Sequence, residues 1–377
     1  MNNSFPEHWD VLPFTEAIRD ATSEYSKIQK SEYNETGLFP IVDQGQQKYG
    51  GFTDDSSMVS LDSYPAIVFG DHTRIFKFIN EPFCLGADGA KVLEPKVKLD
   101  KKFLFYYLSS LRIESAGYSR HYKFLKENLV PLPPLAEQKR IAEILDKADA
   151  IRRQRQQAIQ LADDFLRAVF LKMFGDPVTN PKKWEVKSLS TLCSKITDGT
   201  HHSPPIVDVG VPYITAKHLK TTGLEFYKDP WFISEESHKA IFSRCAPEKY
   251  DVLYIKDGAT TGLAAINEYD FEFSMLSSLA LLKPNKELML PEFLCMFLNH
   301  PRSKLVITAN MAGAAITRLT LAKIKDIQIP LPEVTKQKVF SEIYWKVKEF
   351  LSKTRESEQH TAEEFNALSQ KAFSGQL

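Results

Sequence analysis

The chain has 377 residues, 43% of them hydrophobic and 25% charged, enough for two or three soluble domains that each bury a core. Its 48 basic and 48 acidic residues cancel, which counts against a binder that is basic throughout and leaves a local basic face open. The longest apolar runs, such as Phe103 to Leu108, are far shorter than the roughly 20 residues of a bilayer span, and no secretory signal opens the chain. Cys84, Cys193, Cys245 and Cys295 lack the spacing of a zinc site or disulfide framework, so a reducing cytoplasm is the expected compartment.

In chain order, residues 1–132 read as a first globular domain that is aromatic-rich and broken by turns at Asp43-Gln44-Gly45, Tyr49-Gly50-Gly51 and Ala87-Asp88-Gly89. Ala66 to Phe69 and Ile75 to Ile79 have the short apolar pattern of strands, while Phe103 to Leu111 and Lys123 to Asn128 read as more helical. Residues 133–175 read as one long helix. Pro133 and Pro134 fix its entry and Glu137 suits the positive end of the helix dipole. Ile141, Leu145, Ala148, Ile159, Ala162, Leu166, Val169 and Met173 form an apolar seam that Arg152 and Arg155 interrupt. Gly175 and Pro177 predict its end. At 1.5 Å per residue such a rod spans about 60 Å and needs a partner helix.

Residues 176–331 read as a second globular domain, opening at Trp184-Glu185-Val186 as the first opens at Trp9-Asp10-Val11. Val211 to Thr215 and Asp251 to Ile255 look like strands. Residues 332–377 read as a second long helix, with the seam Phe340, Tyr344, Val347, Leu351, Ala362, Phe365 and Leu368. Val130-Pro131-Leu132-Pro133-Pro134-Leu135-Ala136-Glu137-Gln138-Lys139 returns 199 residues later as Ile329-Pro330-Leu331-Pro332-Glu333-Val334-Thr335-Lys336-Gln337-Lys338, and Gly175 returns as Gly375. A period this long marks a duplicated module rather than a solenoid. The two seams predict that the long helices pair antiparallel, with a globular domain at each end and a pseudo-twofold between them.

The run from Pro131 to Asp146 resembles the DNA-specificity subunit of Type I restriction–modification systems, and the resemblance covers essentially the whole chain. The second copy departs from the pattern at Glu333 and Lys336. Further echoes are Thr197-Asp198-Gly199-Thr200-His201 with Val211 to Lys217, Tyr250 to Leu253 with Gly258 to Gly262, and Phe69 to Thr73. The resemblance implies an α+β fold in which two α/β target-recognition domains alternate with two spacer helices. It also implies a non-catalytic subunit without a cofactor, which docks two modification subunits and a restriction subunit onto a split double-stranded DNA target.

The catalytic alternatives lack their motifs. Pro204-Pro205 lies between Ser203 and Ile206, not in the Asn/Asp-Pro-Pro-aromatic setting of an adenine methyltransferase, and no GxxxxGK[ST] loop is present. Glu137-Gln138-Lys139 has the form of a nuclease Glu-x-Lys, but its place in a first helical turn favours capping and docking. His201-His202 has no third ligand at metal spacing and favours a loop contact. The candidate DNA-contacting residues of the first domain are Gln44, Gln46, Gln47, Lys48, Tyr49, His72, Thr73, Arg74, Ser119, Arg120, His121, Tyr122 and Lys123. Those of the second are Thr200, His201, His202, Lys217, His218, Lys256, Thr260, Thr261, Thr317 and Arg318. Gln and Arg can read adenine and guanine edges, whereas Lys and Thr suit phosphates. Arg152, Arg153 and Arg155 fit either a phosphate-binding stripe or ion pairs to Glu356 or Glu358. A scaffold that displays two protein-binding domains on a coiled coil stays open as the alternative.

Overall fold

The computed structural model describes residues 5–59, 64–86, 89–115, 117, 119–309 and 318–377. Ala87 and Asp88 of the expected turn, and the candidate Thr317, lie outside the described residues. The chain divides into two compact units, one of Met1–Gln157 with Arg355–Leu377 and the other of Ala158–Thr354. Each takes half of both long helices.

In the first unit, strands Ile18–Asp20, Ala90–Pro95, Ala66–Gly70 and Phe76–Ile79 form an antiparallel sheet in that order. Ala66–Gly70 is buried along its whole length, and its side chains alternate between two cores, as a strand period of two requires. Ile67 and Phe69 join Phe103, Leu104, Ile141 and Leu145. Ala66 and Val68 join Val42 and Leu85 beneath a second sheet, in which Phe39–Val42 and Cys84–Gly86 run parallel.

The second unit repeats this plan. Cys193–Asp198, Leu279–Pro284, Val252–Ile255 and Ala264–Ile266 form the antiparallel sheet in the equivalent order. Val252 and Tyr254 face the core that holds Phe293 and Phe340, while Leu253 and Ile255 face the other. There Val211–Ile214 and Ser274–Met275 make the parallel pair.

The repeated sequence echoes are partners in one ribbon. Asp10–Pro13 pairs with Leu129–Leu132, setting Asp10 opposite Leu132. Glu185–Ser188 pairs with Gln328–Leu331 in the same register, Glu185 opposite Leu331. Each ribbon leads into a helix of 40 residues, Leu135–Phe174 and Val334–Phe373. Gly175 and Gly375 end them in the left-handed region, at φ +82° and +69°, where a side chain is disfavoured.

Within each unit the two helix halves run antiparallel. In the first, Phe373 packs on Phe103 and Tyr107 with ring centroids 5.7 and 5.3 Å apart, in the cluster that holds Ile141 and Leu145. In the second, Phe340 meets Phe170 at 5.7 Å and Phe174 at 5.3 Å. Each such ring contributes about 1.5–3 kcal/mol by burial, so packing stabilises these helices more than propensity does. The arginines in the seam have partners other than the expected Glu356 or Glu358. Buried Asp149, on the same helix, takes Arg152 at 2.6 Å and Arg153 at 3.0 Å. Arg155 donates to the Ser357 hydroxyl, and Glu358 accepts from Gln156 at 3.1 Å. Spacings of three and four residues bring side chains together on one helix face, so the local acid captured the charge. Among the described residues no helix is long and apolar enough to cross a membrane.

Candidate nucleic-acid interface

In the first unit, three loops converge beside the end of the buried strand Ala66–Gly70. Gln44 latches the first loop to the second. Its side-chain oxygen accepts the His72 N–H at 3.2 Å, and its carbonyl accepts the Thr73 hydroxyl at 2.6 Å. Lys77, nearly buried, donates to the Asp43 carbonyl at 2.7 Å and stiffens the same loop. Buried Asp71 latches the third segment. Its carboxylate accepts the Tyr122 N–H at 2.7 Å, and its carbonyl accepts from His121 Nδ1 at 2.9 Å.

This framework leaves Gln46, Gln47, Lys48, Arg74, Arg120 and Lys123 exposed. Arg74, at φ +63°, donates to the Ile113 carbonyl at 2.9 Å. Lys48 pairs with Glu81 at 3.0 Å, and the Tyr49 hydroxyl donates to the same carboxylate. Burial and that contact raise the Tyr49 phenol above its ordinary value. Burial pushes Tyr122 up to about 12. Thr73 and Ser119 are half-buried. His121 is 1% exposed, so it supports the segment from inside instead of offering an edge to a ligand.

In the second unit, buried Asp198 is the hub. It pairs with Lys256 at 3.5 Å, Arg244 at 3.3 Å and His201 at 3.4 Å. Lys256 also reaches Asp257 at 3.0 Å, and Asp257 holds Arg318 at 3.1 Å. The network joins three predicted segments, Thr200 to His202, Lys256 to Thr261, and Arg318. His201, His202, Thr260 and Arg318 are exposed, and Thr200 is half-buried. Lys256 is 2% exposed; its charge is spent on Asp198 and Asp257, which corrects its expected place at a ligand surface. Thr261 is also buried, its hydroxyl donating to the Gly258 carbonyl at 2.6 Å.

Lys217 and His218 form a separate group. Lys217 pairs with Asp229 at 2.7 Å and lies 3.3 Å above the Trp231 ring. His218 is 1% exposed; its Nδ1 accepts the Thr215 N–H at 2.9 Å, so Nε2 carries the proton toward the Asp229 carbonyl, also at 2.9 Å. Burial holds its pKa below the ordinary 6.5. It is a neutral internal strut, which corrects its expected place at a ligand surface.

Sequence reasoning missed that buried Asp71 and Asp198, with half-buried Asp257, organise these loops. The available signal was positional, since Asp71 comes directly after the buried strand Ala66–Gly70 and Asp257 two residues after its equivalent, Val252–Ile255. It also missed why Gln138 and Gln337 recur. Gln138 accepts the Asp100 N–H at 2.7 Å and donates to the Pro133 carbonyl at 2.8 Å. Gln337 accepts the Leu290 N–H at 2.8 Å and donates to the Pro332 and Leu288 carbonyls at 2.8 and 3.0 Å. Asp100 and Leu290 are the N-caps of helices Lys101–Ser110 and Pro291–Asn299, so each glutamine ties a long helix to the start of a short one. Glu137 accepts the Trp9 indole N–H at 3.2 Å, a docking contact.

The model for the Type I restriction modification DNA specificity domain matches the chain twice, at residues 18–161 and 181–362. The chain is 23% identical over 302 residues to the Type I restriction enzyme EcoBI specificity subunit of Escherichia coli, a match covering 68% of this chain and 61% of that protein's length. It is 26% identical over 388 aligned positions to the putative Type I restriction enzyme MjaX specificity subunit of Methanocaldococcus jannaschii, covering 89% of this chain and 86% of that one. Its fold is similar to the crystal structure of a Type I restriction-modification system S subunit from M. genitalium, with a TM-score of 0.63, 16% identity, and 99% and 97% of the two chains covered. With residues 18–161 and 181–362 both matched, the chain belongs to the Type I restriction modification DNA specificity domain family.

Proposed function

We propose that this chain is the sequence-reading subunit of a Type I restriction–modification complex and recognises a two-part double-stranded DNA target. The observation that carries the reading is the repeated placement of polar loops beside the end of equivalent buried strands, each set braced by carboxylates, buried Asp71 in one unit and buried Asp198 with half-buried Asp257 in the other. Bracing lowers the cost of ordering a loop on binding.

In this reading residues 1–132 and 176–331 are the recognition domains, and 133–175 and 332–377 the spacer helices. Gln47, Lys48, Tyr49, His72, Thr73, Arg74, Ser119, Arg120 and Lys123 face one half-target, and Thr200, His201, His202, Lys217, Thr260 and Arg318 the other. His121, His218, Lys256 and Thr261 hold the loops from inside. Leu161, Phe165 and Leu171, exposed on the first long helix, support docking of modification subunits, with a restriction subunit completing the complex. The chain works in the cytoplasm and performs no chemistry of its own.

The helices set the gap between half-targets, since domain geometry fixes half-site spacing. Seven residues inserted within Ala158 to Arg167, and matched in the second helix, add about 10 Å of rod. Methylome sequencing of a host carrying that variant is expected to show both half-targets unchanged and a gap longer by about three base pairs, at 3.4 Å per step. An unchanged gap rejects the ruler.

A further inference from the structure

We propose that Lys126 and Lys325 are a repeated pair of DNA phosphate contacts, one per unit, that set register without reading sequence. The inference rests on the DNA reading above and adds residues it does not contain.

The two positions are equivalent in the duplicated fold. Lys126 directly follows the short helix Tyr122–Leu125, and Lys325 closes the short helix Leu321–Lys325. Each comes one residue after a fully buried anchor, Leu125 or Ile324, and four before another, Val130 or Ile329. The ribbons that follow share one register. Both lysines are exposed, and among the described residues neither has a carboxylate partner. Each is followed by an acid, Glu127 or Asp326, but adjacent residues of a helical turn do not face each other. Lys126 instead lies over the Tyr122 ring, 4.9 Å from its centre, as does Lys91 at 5.4 Å.

Several other cations of the two units are already paired. Lys91 pairs with Asp20 at 2.7 Å, Lys48 with Glu81 at 3.0 Å, and Arg318 with Asp257 at 3.1 Å. A phosphate approaching Lys126 or Lys325 breaks no ion pair. Both positions are also tethered to the braced loops, through the Asp71 contacts to His121 and Tyr122 and through the Leu319 N–H bond to the Lys256 carbonyl at 2.8 Å. A sequence-blind contact can stay constant while reading loops diverge, which fits a lysine that recurs where the loop residues do not.

The test measures binding of the full chain, alone and with modification subunits added, to a random-sequence duplex across a salt series. Lys126→Gln and Lys325→Gln are each expected to reduce the slope of log K against log salt by about 0.9, with the methylated target sequence unchanged. Lys353→Gln, which removes a lysine already paired with Glu349 at 2.7 Å, is the control and should leave the slope intact. Normal wild-type slopes with unaltered slopes in both variants overturn this inference, as does a changed target sequence. Absence of any salt-dependent binding by the wild-type chain overturns the DNA reading itself.

Discussion

At the first junction between globular part and long helix, the Trp9 indole donates to the Glu137 carboxylate. At the second, Trp184 turns its N–H to the Phe174 carbonyl at 2.8 Å and offers its ring face to the Lys336 ammonium at 4.7 Å. The departure of Lys336 from the repeated pattern is therefore accommodated by rotating the tryptophan's role from donor to π-face. The same exchange occurs one layer away. Asp146 on the first long helix accepts from Lys102 at 2.6 Å and Tyr106 at 3.0 Å. At the position 199 residues later stands Trp345, which donates to Glu292 at 2.6 Å, so the acid has moved from the long helix to the short one. Gln138 and Gln337, by contrast, are unchanged. Their partners are backbone groups, which both copies present identically, whereas side-chain partners are free to change together.

That contrast orders the expected losses on mutation. Gln337→Ala removes a fully buried amide with three backbone bonds and is expected to cost about 3 kcal/mol, with Gln138→Ala, which loses two, nearer to about 2 kcal/mol. Urea unfolding of the full chain checks this, and a larger loss for Gln138→Ala contradicts the backbone account. Smaller effects are expected where side chains can adapt. Glu137→Lys leaves the Trp9 indole without its acceptor and should cost about 1 kcal/mol. Lys336→Glu loses a cation–π contact at a half-exposed site and should cost about 0.5 kcal/mol. If Lys336→Glu proved the more damaging in the same measurement, the two tryptophans would not have the distinct roles assigned to them.

The duplicated plan was legible because its signals are local. Prolines 133 and 134 and Gly175 fix the ends of the first long helix through backbone sterics, and the apolar spacing of Ile141, Leu145 and Leu166 follows the helical period. The loops were legible as segments but not residue by residue. Lys256 and His218 look like surface residues in sequence, and become internal only when the fold brings Asp198, 58 positions earlier in the chain, and the Asp229 carbonyl onto them. The partners of Arg152 and Arg153 differ for the opposite reason, since the acid lies three and four positions back on the same helix and not on the facing one.

Replacing residues 1–130 with the corresponding segment of another family member, followed by methylome sequencing of the host, tests two-part reading most directly. The account predicts a change in one half of the methylated target, with the other half and the gap retained. Alteration of both halves, or of neither, contradicts it.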